Sequence, residues 1–254
     1  MRIKVPNGTN IVVVGDIHEH EYQFDKLIEE VKPSEKMFFV SVGDIYDKGF
    51  GKKVAESITN KIRAMVESGY GFVIRGNHEL KNIRIAQKQY TMTDELRWFN
   101  KQPLTISFEF PNRSLLTIVH GGVKPTTTWQ DLDTDIETCY IRDLDEDGNY
   151  IKATYVIENG KKIMKPSKPG GKPWHHFYNG RFGYIASGHQ SQKDGIAKFY
   201  NYSCNLDTAT YHTGKLTAQV FNEQGIRDDI ITIEGDAKHP NLDQLFIDMA
   251  NGRV

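Results

Sequence analysis

Asp16 and His18 stand two residues apart, just past the apolar run 11–14. A carboxylate and an imidazole at that spacing in one turn can reach the same cation. The arrangement recurs along the chain. Residues 38–42 run into Asp44, 72–74 into Asn77 and His78, 115–119 into His120, and 184–186 into His189. Asp16, His18, Asp44, Asn77, His120 and His189 form a mixed oxygen and imidazole set with donors enough for two cations. Such a set suits manganese, iron or zinc better than calcium. A carboxylate such as Asp44 can bridge two ions, which then lie roughly 3.5–4 Å apart, polarise a phosphoryl group and acidify a bridging water. The hydroxide so formed is a nucleophile for in-line attack. Each residue taken alone has a plainer explanation. A Gly-Asp turn caps a helix, an asparagine fills a turn, a core histidine meets a carbonyl. Six of them, all just past apolar runs, are poorly explained that way.

The elements that must position these residues are readable from periodicity. Short β-branched runs ending in glycine-containing turns read as buried strands. Residues 22–31 place Phe24, Leu27, Ile28 and Val31 at helical spacing, and Pro33 closes that helix. Residues 54–67 place Val54, Ile58, Ile62, Met65 and Val66 on one face, with Gly69 as the stop. Strand and helix alternate, which predicts an α/β core whose ligands lie beyond the carboxyl ends of the strands. Residues 94–99 predict a shorter helix. Residues 104–110 and 115–119 predict a hairpin turning at Pro111-Asn112-Arg113.

The pattern changes at residues 124–173, which are polar and close in prolines and glycines. This stretch reads as a β insertion or cap within one domain spanning residues 1–254. Asn159-Gly160 inside it is a two-residue hairpin signal. Asp143-Leu144-Asp145-Glu146-Asp147-Gly148 opens like a calcium loop, but Thr154 stands where such a loop needs a bidentate glutamate. An acidic hairpin turn is the expectation. Trp174, His175, His176, Phe177 and Tyr178 are expected in the core, with nucleobase stacking as the sharper alternative. Leu242, Leu245, Phe246 and Met249, capped by Asn241, predict a last amphipathic helix.

Composition excludes some partners. The 254 residues carry 32 basic and 33 acidic side chains, a formal net charge of -1. No global polycation is present to grip nucleic acid, so stable nucleic-acid binding is not expected. Acidic residues 131, 133, 135, 143, 145 and 147 in the insertion would repel a long polyanion, although Lys161, Lys162, Lys165, Lys168 and Lys172 oppose them locally. Cys139 and Cys204 fit no zinc or redox spacing, so a reduced, cytoplasmic protein is expected. The N-terminus lacks the apolar core of a signal peptide, and no stretch is apolar enough to span a membrane. Oligomeric state is not readable from the chain.

Gly15-Asp16-Ile17-His18, Gly43-Asp44-Ile45-Tyr46-Asp47-Lys48-Gly49 and Arg75-Gly76-Asn77-His78-Glu79 resemble the three signature blocks of the calcineurin-like metallophosphoesterases. The resemblance is closer to the phosphoprotein phosphatase branch, with its bacterial and phage members and the related dinucleoside tetraphosphatases. His120-Gly121-Gly122 and Gly188-His189 resemble the later histidine blocks. Leu206-Asp207-Thr208, followed by Gly214-Lys215-Leu216-Thr217-Ala218, resembles the closing strands. These blocks run in order from about residue 11 to residue 220.

The resemblance implies a two-sheet β-sandwich flanked by helices, with two divalent metals at one edge. Manganese is the expected metal, with iron or zinc as alternatives. It places Asp16, His18 and Asp44 on one metal, and Asp44, Asn77, His120 and His189 on the other. It makes His78 the general acid, oriented by Asp47. Lys48 stands where the family usually has arginine, and a lysine cannot grip a phosphate with two prongs. Tyr140-Ile141-Arg142-Asp143 resembles a segment whose arginine touches substrate phosphate, which assigns Arg142 beside Lys48 to substrate binding. The implied activity is hydrolysis of phosphomonoesters, as in a serine/threonine protein phosphatase. The alternatives are a dinucleoside tetraphosphatase or a nucleic-acid-end phosphatase. An inactive metal-binding module would have no use for an acid such as His78.

Overall fold

Strand residues alternate between two cores, which is why the ligand-bearing runs are apolar throughout. The computed structural model describes residues 1–158 and 161–237. In chain order its first elements are β1 (Arg2–Lys4), β2 (Asn10–Val14), α1 (Glu21–Val31), β3 (Met37–Ser41), α2 (Lys52–Glu67), β4 (Gly71–Val73), α3 (Asn77–Gln89) and α4 (Asp94–Asn100). There follow β5 (Thr105–Glu109), β6 (Leu115–Val119), α5 (Trp129–Thr134), β7 (Asp143–Leu144), β8 (Ala153–Glu158), β9 (Lys161–Pro166) and β10 (Lys172–Pro173). The last are β11 (Tyr184–Ser187), β12 (Lys198–Phe199), β13 (Ser203–Asn205), α6 (Thr210–Thr213), β14 (Lys215–Phe221) and β15 (Arg227–Glu234). The turn expected at Asn159-Gly160 and the helix expected around Leu242, Leu245, Phe246 and Met249 lie outside the described residues.

Among the described residues, one sheet has the order β1-β5-β6-β11-β13-β12 and the other β15-β14-β2-β3-β4. They face each other across Ile11, Val13, Phe38 and Val40 on one side and Ile106, Phe108, Leu116 and Ile118 on the other. The intervening residues Val12, Val14 and Phe39 point the opposite way, onto Phe24 and Leu27 of α1 and Ile58 and Ile62 of α2. Strand side chains alternate between faces, so burial of both faces demands an unbroken apolar run. The result is the expected sandwich flanked by helices. α1 ends at Lys32, in the left-handed conformation (φ 51°), directly before Pro33. α2 begins two residues earlier than the periodicity indicates, after a turn at Gly51 (φ 109°).

Parallel pairing decides where the ligands go. β2, β3 and β4 are adjacent and parallel in one sheet. β6 and β11 are adjacent and parallel in the other. Their carboxyl ends therefore emerge together along one edge of the sandwich.

Residues 124–173 are not purely β, since they include α5 and a 3₁₀ turn at Ile136–Cys139. Leu132, Ile141 and Leu144 join Trp174 on Val119 and Ile185, covering the outer face of the six-stranded sheet. Trp174 is fully buried. His175 stacks on it at 4.0 Å between ring centroids and on Tyr200 at 4.2 Å, which is core packing. Asp145 accepts hydrogen bonds from the backbone of Asp147 and Asn149, so the acidic stretch is a hairpin turn. Asp133 binds the Met1 amino group, Asp135 lies 3.5 Å from Lys124, and Asp145 pairs with Lys168. Acids neutralised in this way repel a polyanion less than the bare sequence suggests. No helix among the described residues is long and apolar enough to cross a membrane.

Candidate active site

The carboxyl-end loops are tied to one another before any side chain enters. The Ile17 and His18 amides both donate to the Asp44 carbonyl, at 3.1 and 2.9 Å. The Gly188 amide donates to the His120 carbonyl, and the His189 amide donates to the Asp16 carboxylate at 3.1 Å, joining the two sheets. His18, Asp44, Asp47, Lys48 and His189 all adopt positive φ, between 46° and 69°. Non-glycine residues in this region store backbone strain, and such residues concentrate at functional sites. Two glycines are demanded by the carboxylates. A Cβ on Gly188 would lie 1.9 Å from Asp16 Oδ1, and one on Gly76 would lie 2.2 Å from Asp44 Oδ1.

Around this frame all six predicted metal-binding residues meet. His18 Nε2 lies 3.8 Å from Asp16 Oδ2 and 3.9 Å from Asp44 Oδ2. His120 Nε2 lies 3.3 Å from Asp44 Oδ1 and 3.0 Å from Asn77 Oδ1. Ligand atoms of Asp44, His120 and His189 lie within 4.8 Å of one another, and so do those of His18, Asp44 and His78. His18 Nδ1 is engaged by the Tyr46 carbonyl at 3.1 Å, and His120 Nδ1 by the Val42 carbonyl at 2.8 Å. Carbonyls only accept, so these bonds place the protons on Nδ1 and aim each Nε2 at the carboxylates.

The electrostatics are those of a place built for positive charge. Asp16 and Asp44 are both buried. Burial, reinforced by Asp207, raises the Asp16 carboxyl well above the usual range. Burial would raise Asp44 too, but His120, His78 and His18 hold it well below. Burial opposes charge on His120, yet the Asp44 carboxylate outweighs it and raises that imidazole to about 9. Burial, then Lys48, pushes His18 well down, and burial, then Arg142, does the same to His189. Lys48 Nζ lies 3.1 Å from His18 Nε2, and Arg142 Nε donates to His189 Nε2 at 3.0 Å. A cationic side chain therefore rests on an imidazole nitrogen at each of these two places. Carboxylates, an amide oxygen and carbonyl-oriented imidazoles fit a pair of divalent cations.

His78 Nδ1 lies 2.7 Å from Asp47 Oδ2, and its Nε2 lies 3.9 Å from Asp44 Oδ2. Lys81 Nζ reaches the same Asp47 oxygen at 2.8 Å. Burial alone would raise Asp47, but hydrogen bonds from His78 and Lys81 hold it below the ordinary range.

Sequence reading passed over two residues that hold the loops in place. Fully buried Glu79 accepts from the backbone amides of Asp44, Ile45, Tyr46 and Gly76. Glu19 accepts from those of Asp47, Gly49 and Gly51. The signal for Glu79 was its place three residues beyond Gly76, the reciprocal position of a capping box. Glu19 offers no local signal, because its partners lie roughly thirty residues away. Glu79→Ala is expected to destabilise the chelated protein by about 3–5 kcal/mol, since it strips several buried amides of their acceptor. Glu79→Gln, which keeps one oxygen, loses less. Urea unfolding with chelator present tests this, and an unchanged midpoint for the alanine variant would refute it.

The profile of the calcineurin-like phosphoesterase family matches residues 9–210. The chain belongs to that family, whose members hydrolyse phosphate esters with divalent metals, and it is a metallophosphoesterase. Among solved structures it resembles a candidate diadenosine tetraphosphatase at 23% identity and TM-score 0.68, covering 92% of this chain and 98% of that one. It also resembles a protein serine/threonine phosphatase from Saccharomyces cerevisiae at 18% identity and TM-score 0.62, covering 93% and 84%. A metallophosphoesterase from Sphaerobacter thermophilus follows at 12% identity and TM-score 0.51, covering 91% and 90%. At these identities the likeness is one of fold. No curated protein sequence matches the chain.

Proposed function

We propose that this metallophosphoesterase is a phosphomonoesterase of the serine/threonine phosphatase type, with His78 as its general acid. The observation that carries the reading is the His78–Asp47 pair, 2.7 Å apart beside Asp44. Asp16, His18 and Asp44 are assigned to one divalent cation, and Asp44, Asn77, His120 and His189 to a second, with manganese the expected metal. When bound, such ions polarise the phosphoryl group and acidify water. Asp47 holds the His78 ring through Nδ1. His78 Nε2 then gives its proton to the ester oxygen as the bond from that oxygen to phosphorus breaks. Without that proton an alkoxide would have to leave. Lys48 and Arg142 are assigned to the phosphate oxygens. Both lie beside imidazole nitrogens assigned to the cations, so a phosphate held there would meet an ammonium and a guanidinium.

Chelation is expected to abolish hydrolysis of p-nitrophenyl phosphate, and manganese to restore it better than magnesium or calcium. Elemental analysis of active protein should give two ions per chain, and fewer than one would refute the two-ion assignment. A side-by-side kcat/KM comparison at fixed salt and saturating manganese tests the substrate. Phosphoserine or phosphothreonine peptides are expected to exceed both dinucleoside tetraphosphate and phosphorylated oligonucleotide. Preference for either of the latter would overturn the substrate class and leave the metal assignment standing.

A further inference from the structure

α3 carries more than the site residues Asn77 and His78 at its start. Residues three, four and seven positions apart share a helix face, and Lys81, Arg84, Ile85 and Lys88 lie on the face that His78 and Asn77 begin. All four are exposed, Ile85 at 42%. The acid of α3 itself, Glu79, is buried beneath this face on the backbone of the neighbouring loop. Among the described residues, the carboxylate that meets the stripe is Asp47, which is held by Lys81. Arg84 lies beside Tyr140. The Tyr140 carbonyl is 3.3 Å from His189 Nε2, where Arg142 also reaches. A row of cations thus leaves the site along one helix, in a chain whose net charge is -1.

We propose that this face of α3 docks the acidic flank of a phosphorylated peptide, a deepening that rests on the serine/threonine phosphatase reading above. Spacing supports a peptide. From Lys81 to Lys88 the helix rises about 10.5 Å at 1.5 Å per residue. An extended peptide covers that in about three residues at 3.3 Å each. With the phosphorylated residue at His78, aspartate, glutamate or further phosphorylated residues on one flank meet Lys81, Arg84 and Lys88 in turn. Ile85 offers an apolar contact between them.

The test compares three phosphopeptides of equal length, with acidic, neutral or basic flanks, against p-nitrophenyl phosphate. The wild-type protein and an Arg84→Gln/Lys88→Gln variant are assayed with manganese at low and high salt. Wild type is expected to favour the acidic peptide. The variant is expected to lose about three- to tenfold in kcat/KM on it, as two exposed charge pairs of ordinary strength predict, with the loss in KM. High salt should erase the difference. Turnover of p-nitrophenyl phosphate should not change. Arg84→Glu/Lys88→Glu should favour the basic peptide instead. Equal kcat/KM on all three peptides, or an equal loss on p-nitrophenyl phosphate, overturns the docking face alone. A larger variant effect on a 5′-phosphorylated oligonucleotide than on the acidic peptide also overturns it. Hydrolysis of p-nitrophenyl phosphate with none of any peptide overturns the substrate reading beneath it.

Discussion

Asp44→Asn is expected to lower kcat/KM by at least about 10³-fold, several kcal/mol of transition-state stabilisation at tenfold per 1.36 kcal/mol. Asp44 is the residue assigned to both cations. His18 lies 3.9 Å from its Oδ2 and His120 lies 3.3 Å from its Oδ1. Asparagine is isosteric and keeps the oxygen that accepts from the His78 amide, so the loops should stay in place. It cannot bring a full negative charge to two ions at once. Metal content is expected to fall below two per chain, while circular dichroism and the urea midpoint in chelator show a folded protein. Retention of both ions with kcat/KM within tenfold of wild type would remove Asp44 as the shared ligand.

The second large effect should depend on the leaving group. His78→Asn is expected to cost about 10²–10⁴-fold on an alkyl phosphate such as a phosphoserine peptide, the range of general acid catalysis. On p-nitrophenyl phosphate the loss should be far smaller, because a nitrophenolate departs without a proton. The variant also decides between two roles open to His78, whose ring lies close enough to His18 and Asp44 to share a cation with them. A proton donor leaves the metal content at wild-type level when removed. An equal loss on both substrates, or a fall in bound metal, would make His78 a ligand. Asp47→Asn should show the same leaving-group dependence more weakly, since it removes the negative charge beside Nδ1 and leaves the imidazole.

How much was legible beforehand differs residue by residue. The run 11–14 declared itself a strand because every residue in it is buried, on one face or the other. α1 and α2 declared themselves because a helix packed on one side repeats its apolar residues at helical spacing. Asp16, His18, Asp44, Asn77, His120 and His189 were legible because loops past strand ends carry sites, and these loops carry ligands in an ordered series. The 124–173 stretch was harder. α5 is six residues long, too short for a periodic pattern to build, so the segment read as β alone.

What the sequence determined by itself was the family, the alternation of strand and helix, and the inventory of donors. These are local facts, carried by residue type and by spacing of a few positions. Only the tertiary structure decided which donors meet. Parallel pairing of β2 with β3 and β4, and of β6 with β11, brings five separate turns to one edge. It also decided that Glu19 and Glu79 serve as acceptors for loop amides, that Asp133, Asp135 and Asp145 of the insertion are paired with Met1, Lys124 and Lys168, and that Lys81 shares Asp47 with His78. Each of these joins residues distant in the chain. Hydrogen bonds and ion pairs act across a few ångströms of space, and nothing in local residue order encodes that distance.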